Sequence, residues 1–575
     1  MSDDTTPSSD ADAGGEVSER PDGGEVPPTE AEGLSDTDQE ELIKELESRR
    51  TLRGSAAVAV ALVGILFSLF QVWLAARGFE FVVTLPLVGE VVIAKLQQLQ
   101  INAFHVAFAL VLAFALYPST TGDGAIAGRL AGVVPGVAAR LGDDHPATVA
   151  TRRLRGAARW AFVDPDMDRI TPFDLLLMVG ILAAAGYYLT EFREILRLRA
   201  LGLSAGRSVG EIYTVLAPVE SALGVVLPFA DASFAYLLGV VAFLLVLEAT
   251  RRTLGLSLVL IVSSFIVYAK YGYLIPLDAP YVGVLSTSEG TWSSIVTNLW
   301  YTDQGILGVP VLVSVQFIYI FILFGAFLEA SGAGQWFIDL AYAATGRRKG
   351  GPAKASILAS GFMGTISGSS IANTVTTGAF TIPLMKRSGY RPEFAGGVEA
   401  SASSGGQILP PVMGAAAFLI VEFTGIPYAE VIVAAAIPAV VFFFGVWVMV
   451  HLEASRAGIG GLDDVALVDV REHLKRGWFY LVPLGLLLYY LLVERLTVAR
   501  SAYFSLLAIL ALIALVAAYD PEEWPLLAGA LAVLVGVRAG LAAASGDPVL
   551  ATTLGSLGSW YSGTSYSAHA SMTPK

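Results

Sequence analysis

The sequence predicts an all-α, polytopic membrane protein with about eleven transmembrane helices and one re-entrant hairpin. Three observations carry this prediction. Of 575 residues, 55% are hydrophobic and 15% charged, where a soluble domain carries about 25% charged residues. The apolar residues fall in continuous runs of about 17 to 25, the length a helix needs to cross a bilayer, and not in the short alternating strands of a barrel. Lys and Arg gather in loops of one parity, as cytoplasmic loops do.

Taken in order, residues 1–52 read as a disordered acidic cytoplasmic tail. Positions 1–50 hold sixteen Asp/Glu against four Lys/Arg, most of the chain's net charge of −14, and too few apolar residues to form a core. Spans are expected near 56–76, 101–117, 173–190, 233–250, 254–275 and 310–330, then near 398–424, 428–450, 478–493, 501–519 and 524–543. The apolar stretch 81–94 is short and interrupted by Pro86, Gly89 and Glu90, so it reads as interfacial. Spacing between spans tightens after residue 250. This suggests a small membrane domain over 53–250, a larger one over 251–543 and a polar C-terminal tail over 544–575.

Arg49, Arg50 and Arg53 place the N-terminus in the cytoplasm, and the basic clusters at 251–252, 347–354 and 471–476 fall on the same side by parity. Arg193, Arg197, Arg199 and Arg207 come out external, which predicts a surface-lying helix or a miscounted span. The chain has no cysteine, no phosphate-binding loop and no nucleophile elbow, and its five histidines are scattered. These absences argue against an enzyme and against ATP-driven pumping, and nothing points to nucleic acid. The expected surroundings are the lipid bilayer of the cell membrane.

Residues 355–385 read ASILASGFMGTISGSSIANTVTTGAFTIPLM, with basic residues at both flanks (Arg347, Arg348, Lys349 and Lys354; Lys386, Arg387 and Arg391). If both flanks are cytoplasmic, the segment enters and leaves on one face; two full crossings need about 40 residues, so a re-entrant hairpin is predicted. Its expected tip, 364–377, carries glycines and hydroxyls that hydrocarbon cannot satisfy, and such backbone survives at membrane depth only when buried in protein or lining a cavity. Oxygen-rich broken helices of this kind coordinate ions in secondary transporters. The sodium-binding candidates are Ser367, Gly368, Ser369, Ser370, Asn373, Thr374 and Thr377; a small-residue packing face is the alternative.

Downstream, ASASSGGQILPP (400–411) breaks a span with paired glycines and paired prolines. Ser403, Ser404, Gly405, Gly406, Gln407, Pro410 and Pro411 are candidates for substrate or second-ion contacts. Glu399, at the entry to this span, is either a functional intramembrane carboxylate or an interfacial one at a helix end.

At these residues, GAFLEASGAG (325–334), the run from Gly346 to Phe418 and EFTGIPYAEV (422–431), the chain resembles the permeases of tripartite ATP-independent periplasmic (TRAP) transporters. Within them it is most similar to the fused small-plus-large permeases of the TAXI subgroup. The resemblance is dense over about 230–455 and one of hydropathy and order before 200. It implies sodium symport of an organic anion, a carboxylate or dicarboxylate, delivered by an extracytoplasmic solute-binding protein and carried by an elevator-like motion of the large domain. It also implies an ion site matched by Gly368 to Asn373 and a broken helix matched by Gly405 to Pro411. A second repeat with its own hairpin and Pro-Pro break is expected of the family; beyond the tail, Pro410-Pro411 is the only Pro-Pro pair. A truncated permease is therefore expected, with a non-transporting remnant or assembly subunit as the alternative function.

Overall fold

The computed structural model describes residues 49–77, 81–85, 89–93, 96–122, 145–212, 214, 218, 233–462 and 469–519. Nearly all of the expected acidic tail, the expected span 524–543 and the expected C-terminal tail lie outside these residues.

The chain begins with α1 (Gly54–Arg77), an antiparallel hairpin of β1 (Phe81–Leu85) and β2 (Gly89–Ile93), and α2 (Gln98–Leu116). It continues through α3 (Pro146–Phe162), α4 (Pro172–Thr190), α5 (Phe192–Leu201), α6 (Phe234–Leu254), α7 (Leu256–Tyr271) and α8 (Trp292–Trp300). Next come α9 (Val309–Ala330), α10 (Ala333–Thr345), α11 (Gly351–Ser367), α12 (Ser370–Arg387), α13 (Pro392–Gly406) and α14 (Ala415–Thr424). The described chain closes with α15 (Tyr428–Ala457), α16 (Val470–Val493) and α17 (Val498–Tyr519).

Among the described residues nine helices are long and apolar enough to cross a membrane: α1, α2, α4, α6, α7, α9, α15, α16 and α17. The expected span 398–424 is instead two shorter helices, α13 and α14, interrupted at 407–414. The all-α expectation holds for the spanning elements. The stretch 81–94 departs from it: Phe81 pairs with Ile93 and Leu85 with Gly89 in a two-stranded ladder, because Pro86 and Gly89 interrupt any helix there. Of the four arginines expected outside, Arg193, Arg197 and Arg199 lie on α5, a separate ten-residue helix that follows α4, and Arg207 lies beyond it.

Two apolar cores organise the spans. The first joins α2, α4 and α6 through Phe114, Ile181, Tyr188 and Ala242, and takes in Trp300 and Leu307 from beyond residue 250. The second joins α9, α14, α15, α16 and α17 through Phe321, Phe324, Phe418, Tyr428, Leu491 and Leu506. A polar chain crosses between them, since His105 on α2 bonds Gln71 of α1 at 2.6 Å and Ser314 of α9 at 2.8 Å. Ser314 opens a π-helical turn within α9, a local widening that re-aims side chains.

The end of the first bundle where α2 finishes and α4 begins is locked by charge. Thr171 caps α4, and Asp174 reaches back to the Thr171 amide in a reciprocal box. Asp174 also accepts from Arg50 at 2.7 Å and from Arg252, at the end of α6, at 2.6 Å. Arg50 bonds Asp164 at 2.7 Å as well, and all four side chains are buried. Removing one member of such a set costs about 3–5 kcal/mol, because the remaining charges stay buried without a partner.

Candidate functional site

α11 and α12 pack antiparallel as a helical hairpin. Their outer ends meet beside α15: the Gly350 amide donates to Gly460 O at 2.9 Å, and a Cβ at Gly350 would stand 2.7 Å from Tyr390 Oη. The helical backbone continues much further than the sequence suggested, and only Gly368 and Ser369 lie outside it. The reason lies in the hydroxyls of the segment, which find acceptors without unwinding. Thr374 donates to Ser370 O at 2.8 Å and Thr376 to Ala372 O at 2.9 Å, one turn back along their own helix.

The turn needs its glycine. Gly368 has φ +61, and a Cβ there would stand 2.6 Å from Met413 O, so the tip lies directly against the break between α13 and α14. A second close approach brings α11 onto α13: a Cβ on Gly364 would lie 2.4 Å from Gly406 Cα. Gln407, in the break, donates to Ser370 Oγ at 3.0 Å, and Tyr428 Oη donates to Val412 O at 2.6 Å. The tip and the helix break thus form one polar junction, with Ser369, Ser404 and Gln407 on its exposed side.

Asn373 stands at the centre. It is 1% exposed, and its Nδ2 donates to Ser360 O at 2.8 Å. Its Oδ1 is buried without a hydrogen-bond partner. An unpaired buried carbonyl oxygen costs about 1–3 kcal/mol, so this atom stands apart in the bonding of the hairpin.

Glu399 lies below the junction. It was expected at the entry to a span, yet α13 starts at Pro392, which carries Glu399 two turns in and buries it fully. Five hydroxyls surround its carboxylate. Ser356 donates to Oε2 at 2.5 Å and Thr381 to Oε2 at 2.6 Å; Ser403 reaches Oε1 at 3.3 Å, and Ser360 and Thr377 also bond Oε1. No Lys or Arg pairs with Glu399 among the described residues. The donors come as i, i+4 pairs, Ser356 with Ser360 on α11 and Thr377 with Thr381 on α12, and Glu399 with Ser403 on α13 completes the pattern. Residues four apart share a helix face, so three helices each turn one polar stripe inward.

The candidates therefore divide. Ser367, Gly368, Ser369, Ser370, Asn373 and Gln407 gather at the junction, whereas Thr377 and Ser403 serve Glu399. Thr374 and Ser404 bond their own helices; Gly405 packs against Phe442, and Gly406 against Gly364. Pro410 and Pro411 hold the break open. Ser356, Ser360 and Thr381 were missed, although their four-residue spacing was visible.

A helical hairpin set against a broken helix, within a polytopic bundle, is an architecture found in membrane permeases. Residues 241–546, more than half of the chain, match the tripartite ATP-independent periplasmic transporter family, DctM component. The chain belongs to this family. It is 29% identical over 154 residues to the C4-dicarboxylate TRAP transporter large permease protein DctM of Pseudomonas aeruginosa, covering 27% of this chain and 35% of that protein. It is 31% identical over 150 residues to the protein of the same name from Vibrio cholerae, covering 24% of this chain and 32% of the relative. With the isethionate TRAP transporter permease protein DctMQ of Oleidesulfovibrio alaskensis it shares 36% over 91 residues, 16% of this chain and 14% of that one. The chain spans about a third of the length of the first two relatives.

Proposed function

We propose that this chain is a permease of the TAXI kind that imports a small organic anion, of the C4-dicarboxylate type, delivered by an extracytoplasmic solute-binding protein and driven by co-transported sodium. The observation that carries the reading is the buried, unpartnered Oδ1 of Asn373 where the hairpin tip meets the helix break. An oxygen left without a donor in a setting of hydroxyls and helix-end carbonyls suits a cation, which needs oxygen ligands and no hydrogen. Ser367, Ser369 and Ser370 supply further oxygens at that level. In this orientation the basic ends of α11 and α12 face the cytoplasm and the hairpin is re-entrant. The exposed row of Ser369, Ser404 and Gln407 would meet the substrate.

The test is uptake of labelled C4-dicarboxylate into proteoliposomes, with the cognate binding protein supplied outside. Uptake is expected to require an inward sodium gradient and to fall at least tenfold in Asn373→Ala. Uptake that ignores sodium and survives this substitution would contradict the reading.

A second reading is favoured by Glu399. Seven oxygen-to-oxygen hydrogen-bond links join Glu399, its five hydroxyl neighbours and Asn373 O. Glu399 is fully buried with no Lys or Arg partner among the described residues, the kind of intramembrane carboxylate that serves in proton relays. A proton at this carboxylate is thus an alternative coupling ion. In that case uptake follows a pH gradient without sodium, and Glu399→Gln abolishes the dependence while leaving solute exchange intact.

A further inference from the structure

At the end of the first bundle remote from the Arg50 cluster, α5 and the start of α2 enclose a cleft of about 860 Å³. Its walls bring Gln98 and Thr190 together with Arg193, Leu196 and Arg199. The neighbouring arginines on this surface are neutralised: Arg197 pairs with Glu194 at 2.6 Å and Arg207 with Glu191 at 2.7 Å. Arg193 and Arg199 form no ion pair among the described residues and are exposed. Glu191 also lines the cleft but is engaged by Arg207, so the two guanidiniums of Arg193 and Arg199 face it without an ion-pair partner among the described residues.

The setting of the cleft decides what kind of anion fits. α2 and α4 are spans, so Gln98 and Thr190, at their ends, lie where a membrane meets water. Leu189 forms part of the cleft and is 42% exposed; Leu182 and Leu175, seven and fourteen residues back along α4, are 56% and 53% exposed. This row lies on one face of the helix and runs from the cleft toward the middle of the span. A free carboxylate or phosphate would have only two solvated guanidiniums to hold it, and exposed ion pairs contribute little. A molecule with an anionic head and an apolar tail uses both features at once, the head between the arginines and the tail along the leucine row.

We propose that this cleft is a binding site for an anionic phospholipid, with Arg193 and Arg199 holding the phosphate and Leu182 and Leu189 lining the acyl track. In the orientation proposed above, the lipid belongs to the outer leaflet.

The test uses the full chain in detergent, titrated with short-chain phosphatidylglycerol and, in parallel, with phosphatidylcholine of the same chain length, following thermal unfolding. Phosphatidylglycerol should raise the melting temperature saturably and phosphatidylcholine should not. In Arg193→Gln/Arg199→Gln the titration midpoint should rise about tenfold or more. The charge-matched Arg471→Gln/Lys475→Gln variant, at exposed positions on α16, should titrate like the parent. The proposal is overturned if the two lipids act alike, or if the Arg193/Arg199 variant keeps the parental midpoint. Equal weakening in both variants would also overturn it, since the effect would then be one of bulk charge. A third arm adds purified solute-binding protein without lipid; Arg193/Arg199-dependent stabilisation there, with none from phosphatidylglycerol, would assign the cleft to a protein and overturn the lipid site.

Discussion

The protein buries carboxylates in two ways. In the first bundle Asp174 is held between the guanidiniums of Arg50 and Arg252, at 2.7 and 2.6 Å. Between α11, α12 and α13, Glu399 is equally buried but is surrounded by hydroxyls from those three helices. Paired full charges tolerate no change of partner, because any separation leaves a bare charge in a dry interior. Hydroxyls reorient by rotating one bond and can donate or accept, so a carboxylate among them can adjust to an arriving cation or proton at small cost. The guanidinium lattice suits a fixed frame. The hydroxyl cradle suits a site whose charge changes during a transport cycle.

The contrast can be broken by single substitutions. Asp174→Ala, which leaves two buried guanidiniums short of a partner, should destabilise the protein by about 3–5 kcal/mol, read as a loss of folded yield and a lowered unfolding temperature. Gly364→Ala should cost about 1–3 kcal/mol by overpacking, because its Cβ would lie 2.4 Å from Gly406 Cα; uptake should fall more steeply than stability. Ser360→Ala should cost about 1 kcal/mol, since Glu399 keeps its other donors. Glu399→Gln should change stability least, under about 1 kcal/mol, while altering coupling. If Glu399→Gln proved as destabilising as Asp174→Ala in the same unfolding assay, the two regions would not differ as argued.

The sequence made some of this legible and hid the rest for physical reasons. A helical hairpin was legible because the basic residues that bracket 355–385 stand too close in sequence for two full crossings between them. The break was visible because paired Gly and paired Pro in a span have few other uses. Glu399 was singled out, but its depth stayed open between an intramembrane and an interfacial carboxylate, since its burial depends on α11 and α12 wrapping α13, a packing that hydropathy does not encode. Ser356, Ser360 and Thr381 looked like ordinary small residues until Glu399 was placed between them. The Arg50–Asp174–Arg252 set is joined by contacts 124 and 78 residues apart in sequence, and no local pattern announces it. In the same way, the hydroxyl-rich run 364–377 suggested unwound backbone, whereas its threonines bond back to their own helices.

The central claim is that the junction of the hairpin tip with the helix break binds the coupling ion, and thermal unfolding of the purified chain in sodium against potassium at equal ionic strength tests it most directly. A ligand that binds only the folded state stabilises it by about 2.7 kcal/mol at a hundredfold excess over Kd, and screening of exposed charge responds alike to both cations. Sodium is expected to raise the melting temperature above that in potassium. The difference should shrink in Asn373→Ala and persist in Thr345→Ala, whose hydroxyl bonds Ala341 O on α10, outside the hairpin. Coincident unfolding curves in the two salts, for a protein shown to be folded, would contradict the account and leave Glu399 as the candidate coupling site.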